Sequence, residues 1–331
     1  MPKLISRGLI NQGNTCYLNS IIQCITHLFL FNNNNIDFTI EIDVKKDNPL
    51  LKEWLLLQEN IIKDSNKPLN ILAFIEQFMV CISNSNYDFY SFDHNDVSEF
   101  ITLLFEFIHT SIKSKKNMTI EGTPQNELDN IAIQSMNNWI QFFNNDYSYI
   151  IKSSYSQLLI KTECRLCNYK TYNHDPIQIL TLELQNKDDL EDILHEYIKP
   201  SILDRHNEWK CDKCHKINTP IRHTVFWNLS NIVIIQLKLY SNNLQKINKK
   251  IKFPLNLDMS KYTINYNDNN TNYKLYGICC QSGHLQGGHY YSICYNKYDN
   301  KWRRYNDSQV SEINTSEVLS ESPYCLFYML N

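Results

Sequence analysis

GLINQGNTCYLNS, residues 8–20, puts a cysteine behind a Gly- and Asn-rich turn and at the head of an amphipathic helix. Leu18, Ile21, Ile22, Ile25, Leu28 and Phe29 continue that helix with a 3.6-residue period. A helix N-terminus stabilises a thiolate, so Cys16 has the setting that a cysteine nucleophile requires. Gly13 allows a tight turn, and Asn11 carries a side-chain amide that could be offered to an oxyanion. A buried structural cysteine at a helix start would look the same at this level.

Downstream, the helical period returns in Ile71, Phe74, Ile75, Phe78 and Ile82. It is strongest in Val97, Phe100, Ile101, Leu104, Phe105 and Ile108, with Asp93 or Asn95 available as N-cap. From about residue 155 the pattern turns strand-like. Ile177–Leu184, Ile232–Tyr240, Tyr273–Gln281, Tyr290–Tyr295, Trp302–Tyr305 and Tyr324–Leu330 are rich in β-branched and aromatic residues. Polar stretches at 32–35, 113–117, 241–252 and 265–272 read as loops, insertions or exposed connections. Helices first and strands later predict an α+β fold in one domain over residues 1–331.

Near the far end lies SGHLQGGHYY, residues 282–291. His289 opens a strand directly after a Gly-Gly loop. Seventeen residues on, WRRYND (302–307) sets Asn306 and Asp307 just after the next strand, where a hairpin can bring either beside His289. A cysteine nucleophile needs a base, and the base needs a partner to fix its tautomer. Cys16, His289 and Asn306 fill those roles, with Asp307 as a further candidate. His284 reads as an ordinary residue.

Composition narrows the classes. With 43% hydrophobic residues and 20% charged, the chain can bury a core. A net charge of −3 argues against a general nucleic-acid binder. The apolar stretch 21–31 is interrupted by Gln23, Thr26 and His27, so no membrane span is expected. Residues 1–10 lack a signal-peptide core. Only seven glycines occur, six of them in the two end clusters. Heavy use of asparagine, isoleucine and lysine reads as drift towards AT-rich codons. Eleven cysteines without a leader predict a reducing compartment. Four of them form two C-x-x-C pairs, Cys164–Cys167 and Cys211–Cys214, separated by 43 residues. Paired thiolates on two knuckles predict a tetrahedral four-cysteine zinc site of the ribbon type. A redox dithiol is the competing reading.

At these residues the sequence resembles the ubiquitin-specific protease family of cysteine deubiquitinases. GLINQGNTCYLNS resembles the family's Cys box, and GGHYYSICYN with WRRYND its His box. HNDVSEF (94–100) resembles the QQDxxEF segment, IVIIQLKLY (232–240) the L-K-R-F strand, KKIKFPLNLDM (249–259) the segment after it, and SPYCLFYML (322–330) the closing strand. The likeness runs from about residue 8 to 330. There are departures: His94 and Asn95 replace glutamines, Leu239 and Tyr240 replace Arg-Phe, and the usual glycine before Cys164 is missing.

The resemblance implies a papain-like fold with a helical thumb (about 1–150), zinc-bearing fingers (about 155–240), and a palm sheet (about 240–331 with parts of 170–190). It implies hydrolysis of isopeptide or peptide bonds after the C-terminal glycine of ubiquitin. Cys16 would attack, His289 act as base then acid, Asn306 orient it, and Asn11 donate to the oxyanion, with Asp307 assisting. Asp96 and Glu99 would meet the basic tail of ubiquitin. Gly287 and Gly288, in a blocking loop over 282–288, and Tyr290 would line the tail channel. The cofactor would be one structural Zn2+ on Cys164, Cys167, Cys211 and Cys214. The expected partners are ubiquitin and ubiquitinated proteins, with neither nucleic acid nor membrane, for an intracellular (cytoplasmic or nuclear) monomer. The short segments outside the boxes leave no room for further domains in this reading. A protease for another ubiquitin-like modifier and a catalytically weak ubiquitin-binding module remain the alternatives.

Overall fold

The computed structural model describes residues 6–31, 48–63, 65, 67–90, 92–203, 208–240, 246–247, 249–264, 266, 270–284 and 287–331. The polar stretch 32–35 and parts of the connections 241–252 and 265–272 lie outside the described residues, as do residues 285 and 286 of the 282–288 loop.

Helices dominate the first half: α1 (Cys16–Phe31), α2 (Pro49–Ile61), α3 (Leu72–Ser83), α4 (Val97–Ile112), α5 (Glu127–Phe143) and the short α6 (Tyr149–Ser154). Part of the polar stretch 113–117 is not loop. Ser114–Lys115 (β1) pairs with Asp146–Tyr147 (β2), where Lys113 and Lys115 both bridge Asp146 at 2.9 Å.

Helix α1 is the buried centre. Tyr17, Leu18, Ile21, Ile22, Cys24, Ile25 and Leu28 are at most 1% exposed. The polar residues that interrupt the run are buried with them and reach backbone carbonyls, although Gln23 Oε1 is left without a hydrogen-bond partner. Thr26 Oγ1 donates to the Ile22 carbonyl (2.7 Å), His27 Nδ1 pairs with the Gln23 carbonyl (2.7 Å), and Gln23 Nε2 donates to the Arg7 carbonyl (2.8 Å). A helix buried on every side belongs to a core covered on both faces. No described helix is long and apolar enough to cross a membrane. Helix α4 buries the periodic set read from the sequence, Val97, Phe100, Ile101, Leu104, Phe105 and Ile108. Burial of each such side chain contributes about 1.5–3 kcal/mol.

The N-cap of α4 is Asp96, whose side chain accepts from Ser98 N at 2.7 Å, not Asp93 or Asn95. Asn95 is spent elsewhere: its amide donates to Tyr17 Oη, Tyr90 O and Asp93 O.

The second half supplies the strands: β3 (Ser156–Glu163), β4 (Lys170–Ile177), β5 (Ile179–Glu183), then a helix α7 (Leu190–Ile198) that the strand reading passed over. They continue as β6 (Ser201–Ile202), β7 (Trp209–Lys210), β8 (Ile217–Asn218), β9 (Ile221–Asn228), β10 (Ile232–Lys238) and β11 (Asn256–Asp258). The last are β12 (Asn272–Ser282), β13 (His289–Asn296), β14 (Lys301–Asn306), β15 (Gln309–Ile313) and β16 (Pro323–Leu330), with a short α8 (Thr315–Val318) before β16.

The large sheet runs β15-β14-β13-β12-β16-β10-β5, with β11 also paired to β12. Every pairing in it is antiparallel except β10 with β5. A second sheet, β4-β3-β9-β6, and the β7-β8 hairpin make an extension.

Two expectations shift here. The run 177–184 is two strands broken at Gln178, one in each sheet. Strand β10, assigned to the fingers by the boundary near residue 240, pairs inside the large sheet. Apolar β-branched runs read alike in either sheet, so periodicity cannot mark where a chain changes sheets.

Candidate active site

Helix α1 packs across β12 and β13, which sets its N-terminus beside the end of β13 where His289 sits. The approach to α1 is a turn with Gly13 and Asn14 both at positive φ (98° and 54°). Asn11 fastens it: its Oδ1 accepts from Gly13 N (2.9 Å), Thr15 N (3.2 Å) and Thr15 Oγ1 (3.2 Å). These bonds fix the amide's orientation. Its Nδ2 therefore faces the other way and donates to Asp307 Oδ2 at 2.9 Å.

His289 is held by strand pairing, opposite Ser282 on β12. On its other side, β14 carries Asn306 into position, and His289 Nε2 meets Asn306 Oδ1 at 2.6 Å. An amide oxygen only accepts, so Nε2 carries the hydrogen and Nδ1 is left for another partner. Cys16, 4% exposed, lies close enough to the same ring to favour its protonated form. The three side chains predicted to act together are thus brought together, across 290 residues of sequence from Cys16 to Asn306.

The thiol contact raises the His289 pKa to about 9 against the opposing effect of partial burial, with further support from Asn306, the Cys16 charge and the Asp307 carboxylate. The proton is therefore kept at neutral pH and lost as pH rises through about 9. An imidazolium against the sulphur stabilises negative charge on it, and a nucleophile with an oriented acid–base partner suits acyl transfer. Any thiol chemistry at Cys16 that needs this imidazolium should decline on the alkaline side with an apparent pKa near 9. The pH profile of kcat/KM checks this, and a flat profile from pH 8 to 10 would contradict it.

Asp307 does not touch the ring. Its carboxylate takes the Asn11 amide on one oxygen and the Asn19 amide on the other (2.7 Å), while its carbonyl accepts from Leu9 N at 2.8 Å. Gly8 lies against this same backbone. A Cβ there would come within 2.5 Å of Asp307 O and Ser308 O, so only glycine lets the N-terminal segment close on the loop after β14.

The predicted substrate-facing residues divide. Asp96 is committed inward, accepting from Ser98, Gln236 Nε2 (3.1 Å) and Tyr324 Oη. Glu99 is exposed, and its pKa is raised by desolvation and by the nearby Asp96 and Asp88 charges. Tyr290 is half-buried with its ring 5.9 Å from that of Tyr324. Gly287 has open space around it, whereas Gly288 is packed beneath the Gln281 side chain.

At the far end of the extension, the turns after β3 and β7 bring Cys164, Cys167, Cys211 and Cys214 together, all four Sγ atoms within 4.8 Å of one another. The two knuckles match in backbone. Asn168 N and His215 N donate to the carbonyls of Cys164 and Cys211 (2.9 and 2.8 Å), and both residues have φ near 57°. Four thiols at this spacing could hold a metal ion, and their softness and number suit zinc.

Sequence reasoning missed Asn19, Thr15, Gln281 and Lys246. Asn19 and Thr15 lie within the quoted stretch 8–20, but nothing in their spacing says which partner they meet. Gln281 and Lys246 carry no local signal at all.

The sequence model of the family described as ubiquitin carboxyl-terminal hydrolase matches residues 7–328. Ubiquitin carboxyl-terminal hydrolase 4 of Saccharomyces cerevisiae is 25% identical over 360 residues, which is 97% of this chain and 39% of that protein. Hydrolase 5 of the same yeast is 28% identical over 357 residues (97% and 44%). Human ubiquitin carboxyl-terminal hydrolase 2 is 25% identical over 337 residues (98% and 55%). The chain thus spans about two fifths to a little over half the length of these curated relatives. Among solved structures, the SAGA DUB module Ubp8/Sgf11/Sus1/Sgf73 bound to monoubiquitin contains a chain of the same fold. Its TM-score is 0.75 at 22% identity, over 100% of this chain and 71% of that one. The module bound to ubiquitin aldehyde gives 0.74 at 23%, over 98% and 69%.

Proposed function

The chain belongs to the ubiquitin carboxyl-terminal hydrolase family, and we propose that it is a cysteine-type deubiquitinase that hydrolyses bonds after the C-terminal glycine of ubiquitin. The observation that carries this reading is the convergence of Cys16, His289 and Asn306, with Asn306 Oδ1 2.6 Å from His289 Nε2 and Cys16 on the same ring.

In this mechanism the Cys16 sulphur attacks the carbonyl carbon of the terminal glycine. The tetrahedral oxyanion is met by the Cys16 backbone N–H, which lies at the open start of α1, and by the second N–H of the Asn11 amide. Only one Asn11 hydrogen is taken by Asp307, so the other remains to donate. His289 gives its proton to the departing lysine amine, leaving a thioester on Cys16. It then takes a proton from water, whose oxygen attacks the thioester, and the thiol is restored as the ubiquitin carboxylate leaves. Asn306 holds the ring. Asp307 aims Asn11 and reaches His289 only through its charge.

Two substitutions separate these roles. Asn306→Ala should lower kcat/KM on the order of 100-fold, the lower end of the range for a displaced acid–base group, and draw the alkaline limb below 9. Asp307→Ala should lower kcat by a similar factor but move that limb less, since its partners are amides and not the ring. Equal shifts in the two pH profiles would contradict the assignment.

We assign one structural zinc to Cys164, Cys167, Cys211 and Cys214, where it would tie the β3–β4 turn to the β7–β8 hairpin. Ubiquitin is the proposed partner, with Glu99, Gly287, Gly288 and Tyr290 facing its tail and Asp96 supporting from behind. The neighbours of known structure are in assemblies with Sgf11, Sus1 and Sgf73, so the expectation of a monomer draws no support from them.

Ubiquitin carrying a thiol-reactive C-terminus tests the reading. The protein should form a covalent adduct that Cys16→Ala abolishes. An adduct only with a different ubiquitin-like modifier would replace the substrate, and no adduct with any would leave a binding module.

A further inference from the structure

Tyr240 departs from the phenylalanine of the L-K-R-F pattern, and the extra hydroxyl has a partner. Tyr240 Oη donates to Gln281 Oε1 at 3.0 Å. The same amide oxygen accepts from Lys246 Nζ at 2.6 Å, and Lys246 also donates to the Gln281 carbonyl (2.9 Å) and the Gly283 carbonyl (3.2 Å). The other end of the amide, Gln281 Nε2, donates to the His284 carbonyl at 3.1 Å. Gln281 is only 7% exposed, and every polar atom of its side chain is engaged.

This group sits directly before His289. The space above Gly288 is filled by the Gln281 amide: a Cβ at 288 would be 2.1 Å from Nε2 and 2.8 Å from the His284 carbonyl. Lys246 is itself fixed, since Tyr240 and Lys246 form an antiparallel bridge and Ile247 N donates to Leu239 O at 2.7 Å. Among the described residues its ammonium has no carboxylate within 4 Å, so its charge is spent on three neutral oxygens of this one turn. Charge-assisted bonds of this kind are the strong ones, and three converging on Gln281 and Gly283 leave that backbone little freedom.

We infer that Tyr240, Gln281 and Lys246 form a polar brace that fixes the backbone at Gly283–His284 and Gly288, and that this brace sets affinity for the substrate tail. His289 is held independently, through its pairing with Ser282 and the bond to Asn306. The brace therefore acts on binding and not on the chemical step. An ordered loop enters the complex without the conformational cost that a loose one carries. The inference rests on the reading of Gly287 and Gly288 as substrate-facing.

The test is Lys246→Met, with Lys246→Arg and Tyr240→Phe beside it, on a fluorogenic substrate attached to the ubiquitin C-terminus. Lys246→Met should raise KM on the order of tenfold with kcat within about twofold, and Tyr240→Phe by about threefold, as a charged and a neutral hydrogen bond differ. Lys246→Arg should recover most of the loss. The rate of Cys16 alkylation by iodoacetamide should not change. Amide hydrogen exchange at Gly283 and His284 should quicken in Lys246→Met, a readout that needs no substrate. A fall in kcat with slower alkylation, or unchanged exchange and KM, would overturn the brace. Faster exchange in a protein that fails to hydrolyse ubiquitin would support the brace and overturn the proteolytic reading.

Discussion

Cys16→Ala is expected to remove ubiquitin hydrolysis to the limit of detection, a loss on the order of 10⁴–10⁶-fold, because the residual activity of such sites comes from transition-state donors and binding alone. Alanine keeps the helix start and fits the space, so folding should be intact and ubiquitin binding retained. The substitution has a second signature. The contact with Cys16 is the largest cause of the raised His289 pKa, with the opposing effect of burial next. Without the thiol, the His289 ring should titrate well below about 9, which NMR of the imidazole protons reads directly. His289→Ala should cost about 10²–10⁴ in kcat, the usual range for an acid–base group. Wild-type turnover surviving in Cys16→Ala, or an unmoved His289 titration, would remove Cys16 from the centre of the mechanism.

Removal of the proposed zinc from the four-cysteine cluster is the second large expected effect. Purified protein should carry about one zinc per chain, the stoichiometry of a single four-thiolate site. Structural zinc sites bind with roughly 10–16 kcal/mol in small domains, and that free energy is shared with folding. The β7–β8 hairpin has two residues per strand and so depends on the cluster more than on its own pairing. Chelation, or Cys211→Ser, should therefore unfold this end of the extension, expose the remaining cluster thiols (four on chelation, three in the variant) to a thiol reagent, and lower the thermal midpoint. The reacting groups lie on α1, β13 and β14 of the large sheet. Alkylation of Cys16 should consequently survive chelation while KM for ubiquitin rises. Metal-free protein with an unchanged melting curve would refute the structural role.

Much of this site was legible in the sequence. Cys16 could be placed at a helix start because a 3.6-residue period begins behind it. His289 could be placed at a strand start because alternating and aromatic residues follow a Gly-Gly pair. The two knuckles were legible because metal ligation demands a fixed local spacing. The cap of α4 is Asp96 rather than Asp93 or Asn95 because all three side chains can cap, and the choice fell to partners outside the helix. Helix α7 was passed over although Leu190, Ile193 and Leu194 carry its buried face. Its single short stripe sits among strand-like runs.

The chain's own order of residues determined the principal helices and strands, the chemistry-bearing types and the pairs C-x-x-C, since period and ligand spacing act over a few positions. Only the tertiary structure decided which amide meets which carboxylate. It placed Asn306 on the His289 ring and turned Asp307 towards Asn11 and Asn19, although the two residues are adjacent in sequence. The physical reason is that successive residues at a strand's end point to opposite sides, and Asp307 stands at positive φ (51°) just past β14. It likewise joined Tyr240 and Lys246 to Gln281, a side-chain contact between segments about 40 residues apart that no local preference encodes.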